Sequence, residues 1–490
     1  MKKIAFILLT FISIAVYGQK NVLHDAAFWR THPDINTIKS EIEKGSNPAT
    51  EGPFGSDATV YAINAAANLE TVKFMLSQTG NNVNKIVSNG RTYLYSAASK
   101  GNTELMEYLI SKGAKTDIKD NFGYTVLTYA AATGQINTKV YDICIQHGAD
   151  PKKEKITGGA NALLLLAPYD KDFSVISYFV SKGVDIKSTD SIGQTAFDYA
   201  VKSGNIPVLK ALVAKGVKYK PDAMVTASIG SRAGTAATLQ LYQYLEELKL
   251  SPKTTNSNGD NVLHYIVKRP KQQELINYFV AKGVDINQAN NDGTTPFMNA
   301  AGSNTDVTTI NLLIPLIKNI NQVNKKGVSA LALAVRRNSP EIVKLLIEKG
   351  ADVKVVDAEG YNLTYYLVPG FAQRPEYFEA KLKLLQDKGF DITATQGNGF
   401  GLYHMVLVRN GIPLLKRIES FKVDVNAKDK EGLTPLHKAA MTAKDDTILK
   451  YLISIGAKKD LTTEFKETAY DLAKENEYLT KQKTSIDFLK

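Results

Sequence analysis

Six histidines and one cysteine are the side chains of this sequence best suited to metal binding or nucleophilic attack, and their spacing argues against both. His24, His264, His404 and His437 each follow a Leu or Tyr inside an apolar run. A metal centre needs three or four ligands converging on one point. No two of these histidines fall at i, i+4 on a shared helix face, so they read as structural. Cys144 lies among apolar neighbours shortly before Gly148, as a small core residue would, and being alone it forms no internal disulfide. The carboxylate pairs Glu246-Glu247 and Asp445-Asp446 occupy polar stretches where solvation is the ordinary fate of charge. No glycine-rich loop follows a strand pattern, so a P-loop-type cradle is not indicated. No catalytic arrangement stands out; neither an enzyme nor a cofactor is expected.

Recognition chemistry is better represented. Arg91, Tyr124, Tyr361 and Phe400 each stand directly after a glycine in a polar turn, and Phe122 stands directly before one. Aromatic and Arg side chains contribute much of the energy of protein interfaces. Basic doublets form a second candidate set: Lys268-Arg269, Arg336-Arg337 and Lys325-Lys326. Together they suggest a basic stripe suited to an acidic partner, a polyanionic glycan or a lipid headgroup.

The elements that must position these residues are short. Asp429–Gly456 reads DKEGLTPLHKAAMTAKDDTILKYLISIG. Thr434 suits a helix N-cap and Pro435 the first helical position. Leu436, Ala439 and Ala440 then give an apolar stripe at helical spacing. After a polar turn, Leu449, Leu452 and Ile453 mark a second helix that Gly456 stops. Such a pair cannot bury a core alone. Edited copies follow one another along the chain, with stop glycines at Gly113, Gly148, Gly183, Gly216, Gly283, Gly350, Gly389 and Gly456. The steps are near one period or near two, which implies missing glycines between Gly216 and Gly283, Gly283 and Gly350, and Gly389 and Gly456. The step from Gly350 to Gly389 is long and places an insertion, with Pro369, Gly370 and Pro375, between the helices of that unit.

A period of about 33 residues with the opening Gly432-Leu433-Thr434-Pro435-Leu436-His437 resembles the ankyrin repeat. About fourteen units fit, across essentially all of the mature chain. The resemblance implies an all-α solenoid of stacked helix–turn–helix units joined by short β-hairpin fingers. It also implies that fingers and first helices line a concave face where partners bind, and that the Leu-His histidine supports the helix-opening Thr. His437 with Thr434 fits that scheme; His264 and His404 face Asn261 and Gly401 instead. Tyr129, Tyr199, Tyr265 and Tyr366, just after that slot, are expected in the core.

Lys2-Lys3 before the apolar run Ile4–Tyr17 reads as a signal peptide over 1–18, cleaved after Gly18. The expected organisation is N-terminal repeats over 19–218, a degenerate repeat over 219–252 where the array bends, and C-terminal repeats with a cap over 253–490. The formal charge of +11 is modest for 490 residues. Part of it is the Lys before a stop glycine, as at Lys112, Lys182, Lys215, Lys282, Lys349 and Lys388, where a cation faces the negative helix end. Nucleic acid is not an expected partner, and no span of the mature chain suits a membrane. The expected function is a non-catalytic, monomeric protein-binding scaffold in the periplasm or outside a bacterial cell. The alternatives are an envelope module binding a polyanionic glycan or lipid, and an immunity or stabilising protein for a secreted toxin or enzyme.

Overall fold

The computed structural model describes residues 21–230, 237–407 and 411–490. The leader over 1–18 and Gly234 of the degenerate unit lie outside the described residues. The tenth unit, Asn324–Gly350, shows how the sequence makes each part; the ninth precedes it, the eleventh ends at Gly389, the twelfth near Lys422, and the thirteenth is Asp429–Gly456. Asn324 Oδ1 accepts from the Lys326 and Val328 N–H groups, both at 3.0 Å, and closes a turn in which Gly327 has φ of +72°. Ser329 then caps the helix Ala330–Arg337 by accepting from Ala332 N–H at 3.1 Å. Pro340 opens the second helix, Pro340–Glu348, and Lys349 is its C-cap. Gly350, at φ +91°, ends it, with Ala351 N–H donating to the Leu346 carbonyl at 3.0 Å.

Two kinds of asparagine join consecutive units. In the turn between helices, Asn338 Nδ2 donates to the Ala301 and Asn304 carbonyls of the preceding unit at 2.8 and 2.9 Å. Asn304 does the same to Val267 and Arg269, and Asn476 to Ala440 and Ala443. These bonds satisfy carbonyls that a helix end leaves open. Below the second helices, Asn321 Nδ2 donates to the Gly350 carbonyl at 3.0 Å and its Oδ1 accepts from Asp352 N–H at 2.8 Å. Asn84 and Asn426 repeat that clasp on Gly113 and Gly456.

Packing follows from the small residues. Ala97-Ala98, Ala130-Ala131 and Ala439-Ala440 are fully or nearly fully buried and let first helices approach closely. Second helices add larger side chains: Leu109, Phe179, Leu212, Phe279 and Leu346 are at 0% exposure. Cys144 is buried in this layer, and burial pushes its thiol up to about 12, which keeps it protonated.

The fingers are tight turns. Among the described residues they form no strand, only the isolated antiparallel bridges Val87–Arg91, Val323–Ser329 and Thr462–Thr468. Successive fingers still bond backbone to backbone: Lys325 N–H donates to Asp292 at 2.9 Å and Ala358 N–H to Lys326 at 2.9 Å. Where a turn starts with Asp or Asn, as at Asp120, Asp190, Asn290, Asn324 and Asp429, its side-chain oxygen takes N–H groups that a hairpin would pair across strands.

Among the described residues two compact units are distinguished, 21–223 with 230 and 237, and 224–229 with 238–407 and 411–490. The seam falls within 219–252. There the second helix, Leu239–Glu247, is regular, while the stop residue is Lys249 at φ +66°. Of the other two missing stop glycines, one is replaced in the same way and one differently. Lys422 takes the left-handed conformation at φ +52°, and unit nine closes with a 3₁₀ turn, Ile314–Leu316.

Candidate protein-binding face

The Leu-His histidines tie each first helix to the next finger. His437 Nδ1 accepts from Thr434 N–H at 3.1 Å, and Nε2 donates to the Leu461 carbonyl at 2.9 Å. His264 and His404 do the same, through the Asn261 and Gly401 N–H groups and the Thr294 and Leu433 carbonyls. The contact needs only a backbone N–H, which is why Asn261 and Gly401 serve as well as Thr. Burial holds all three imidazoles below the usual 6.5. Neutral rings therefore fill these sites.

The residue after that slot meets the finger, which corrects the core assignment for Tyr129, Tyr199 and Tyr265, while Tyr366 is buried as expected. Tyr129, Tyr199 and Tyr265 are half-buried, and Tyr366 is buried. Their hydroxyls meet the turns: Tyr199 donates to Asp190 at 3.1 Å, Tyr265 to Asp260 at 2.8 Å and Tyr366 to Asp357 at 2.6 Å.

Of the residues singled out from sequence, two from fingers and one from a basic doublet come together. Tyr361, Phe400 and Arg336 line one hollow of about 200 Å³ with Tyr365, Pro369 and Met405. Tyr361 stacks on Tyr365 with ring centres 4.3 Å apart. Phe400 stacks on the His404 ring at 5.3 Å, with the Lys438 ammonium 5.1 Å from its centroid. Phe400 and His404 also line a second hollow of about 480 Å³ with Leu407, Lys438 and Thr442. Units ten to thirteen thus carry adjoining hollows on the side made by first helices and fingers.

The remaining candidates are placed elsewhere. Arg91 is engaged within the fold: its Nε donates to buried Asp120 at 2.8 Å and its guanidinium lies 4.2 Å from the Tyr129 centroid. Tyr124 meets Tyr129 edge-on at 6.1 Å, while Phe122 is 53% exposed. Lys268 lies half-buried over the Tyr265 ring, and Arg269 donates to the Ile229 carbonyl at 2.5 Å. Lys325 and Lys326 are exposed at a finger tip. Arg336 and Arg337 line a third cavity with Arg374 and Lys381, two residues that the doublet pattern does not reveal. Glu246 is not simply solvated: it binds Lys282 at 2.7 Å and accepts from Tyr278. Asp446 pairs with Lys450 at 2.6 Å. Among the described residues, no group of three His, Cys, Asp or Glu side chains could hold a metal ion.

Comparison with known proteins agrees with this geometry. Profiles described as ankyrin repeats, in three or many copies, match residues 59–155, 164–213, 263–357 and 403–453, together more than half of the chain. Human transient receptor potential cation channel subfamily A member 1 is 22% identical over 432 residues, which is 86% of this chain but 32% of the channel. A putative ankyrin repeat protein of Rickettsia felis is 25% identical over 293 residues, 58% of this chain and 71% of that protein. Alpha-latroinsectotoxin-Lt1a of Latrodectus tredecimguttatus is 25% identical over 56% of this chain and 20% of the toxin. The chain thus spans about a third of the channel and a fifth of the toxin. Period, stop glycines, histidine–finger bonds and matching profiles agree: the chain belongs to the ankyrin-repeat family.

Proposed function

We propose that this chain is an exported scaffold that binds a protein partner through the first helices and fingers of units ten to thirteen, without chemistry of its own. Ankyrin repeats generally serve as protein-interaction scaffolds. The observation that supports this reading is the hollow at Tyr361, Tyr365 and Phe400, where an Arg guanidinium stands beside aromatic rings on a rigid helical base. Such a site suits a partner segment presenting an apolar side chain next to a carboxylate. Among the described residues no helix is long and apolar enough to cross a membrane. The Lys2-Lys3 leader supports export to a bacterial periplasm or beyond, and N-terminal sequencing of the mature chain is expected to begin at Gln19. A mature chain that keeps residues 1–18 contradicts export with cleavage.

Capture from the native envelope fraction by the full chain and by a Tyr361→Ala/Phe400→Ala variant tests the binding face. One protein is expected to be captured reproducibly by the first and at least tenfold less by the second, with little change between low and high salt. Equal capture by a folded double variant overturns the assignment.

A further inference from the structure

The eighth residue before the stop glycine is apolar and buried in unit after unit: Leu105, Val140, Val175, Val208, Leu275 and Ile342. Counted back from Gly389, unit eleven places Lys381 there, and it remains 5% exposed. Its Nζ donates to the Val335 carbonyl at 3.0 Å, which uses one of three donors. Arg336 and Arg337 end the first helix of unit ten, and Arg374 is the residue before the second helix of unit eleven, Pro375–Gln386. All four cations line one cavity of about 700 Å³, and the insertion that lengthens unit eleven supplies part of its wall through Pro369, Gly370 and Arg374. Among the described residues no carboxylate lies within ion-pair distance of any of the four. The acid on the wall, Glu341, forms no ion pair with them, and Ser339 beside it holds its carboxyl below the usual range. Two helices begin at this cavity, at Pro340 and Pro375, and neither has a side-chain cap on its open N–H groups.

A buried ammonium beside other cations, held by one carbonyl and 5.9 Å from the Tyr377 ring centre but without an ion-pair partner, is unfavourable in an empty site. Four positive groups converging on a polar hollow fit an anion that arrives from outside. We propose that this cavity binds a small, multiply charged phosphate compound, gripped by Arg336, Arg337 and Arg374 with Lys381 at its floor. Guanidinium forks match phosphate oxygens in pairs. The volume lies in the range of small-molecule sites and exceeds what one inorganic phosphate fills. Burial, and Arg374 beside it, draw the Lys381 ammonium down to about 8, and a bound anion would draw it back up. The same phosphate chemistry could reach the site on a soluble molecule or on a lipid headgroup; the depth of Lys381 favours the soluble source. The inference goes beyond protein binding; Arg336 lines both hollows, but Arg374 and Lys381 line only this one and Tyr361 and Phe400 only the aromatic one, so variants at those four residues separate the two readings.

Calorimetric titration of the full chain with inorganic tripolyphosphate, at fixed ionic strength, is the test. Saturable one-to-one binding is expected, weakened at least tenfold by Lys381→Met and by Arg374→Gln, with Tyr361→Ala/Phe400→Ala unaffected. Lys381→Met is also expected to raise the thermal midpoint of the ligand-free chain, since it removes an uncompensated charge from a position that is otherwise apolar. Arg374 is exposed at the mouth, so Arg374→Gln remains informative if Lys381→Met fails to fold. No saturable binding at millimolar tripolyphosphate, or equal binding by wild type and folded variants, overturns the proposal. Lysine- and arginine-dependent sedimentation with phosphatidylglycerol vesicles, without tripolyphosphate binding, overturns the soluble source in favour of a lipid.

Discussion

Gly350 and Gly327 share a left-handed backbone but not the same surroundings. A Cβ on Gly350 meets nothing within 4 Å, whereas one on Gly327 would stand 2.5 Å from Ala358 N of the next finger. Gly350→Val is therefore expected to cost about 1–2 kcal/mol from backbone strain alone. Gly327→Val is expected to cost more, because finger-to-finger bonding must also shift. Denaturant midpoints of the two variants check this; equal losses contradict the finger contact. The buried histidines give a second prediction at this scale. His264, His404 and His437 have pKa values lowered in the folded chain, so the unfolded chain binds more protons below about 6.5. Their contribution is complete above that pH and drains as pH falls toward the lowered folded values. The thermal midpoint is expected to fall between about pH 7.5 and about 5.5, and less steeply when all three are changed to Gln. Parallel pH profiles would show that these rings do not sit neutral between N–H and carbonyl.

Between elements, the turn asparagines and the second-helix core hold the stack. Asn338→Leu strands the Ala301 and Asn304 carbonyls and is expected to cost about 1–3 kcal/mol. Leu346→Ala, at a fully buried site, is expected to cost about 2–5 kcal/mol. Urea unfolding monitored by circular dichroism measures both, and no change in Asn338→Leu would remove the inter-unit clasp from the account. These elements were largely legible in the sequence, because Thr-Pro openings, small-residue stripes and stop glycines each have a local physical cause. The stop near Lys422 could be placed from the repeat period, but the residue types did not show that Lys249 and Lys422 end their helices, since a lysine held at positive φ by its neighbours leaves no mark in composition. Tyr129, Tyr199 and Tyr265 were placed in the core with Tyr366, which is buried, because helical spacing does not say whether a flank meets the core or a finger. Arg91 was read as surface because its partner, Asp120, is one unit away. Lys381 was readable: counting back from Gly389 puts a charge in an apolar register, a signal that single-unit patterning passes over.

For the whole molecule, stability in a repeat chain is close to a sum of units and their nearest contacts, so one all-or-none transition is not required. Trp29, the single tryptophan, is buried in the first unit and reports on that end alone. Its fluorescence is expected to change at a different guanidinium concentration from the far-UV circular dichroism of all helices. Coincident curves would mean that the two compact units unfold as one. Binding is also a property at this scale, since the aromatic hollow is assembled from three consecutive units. The most direct test places a photo-reactive amino acid at position 365, inside the hollow, or at position 344, on the exposed side of a second helix, and illuminates the chain in its native envelope fraction. A protein adduct from position 365 and none from position 344 is the predicted result. An adduct from position 344 alone would contradict the assignment of the first helices and fingers as the binding face.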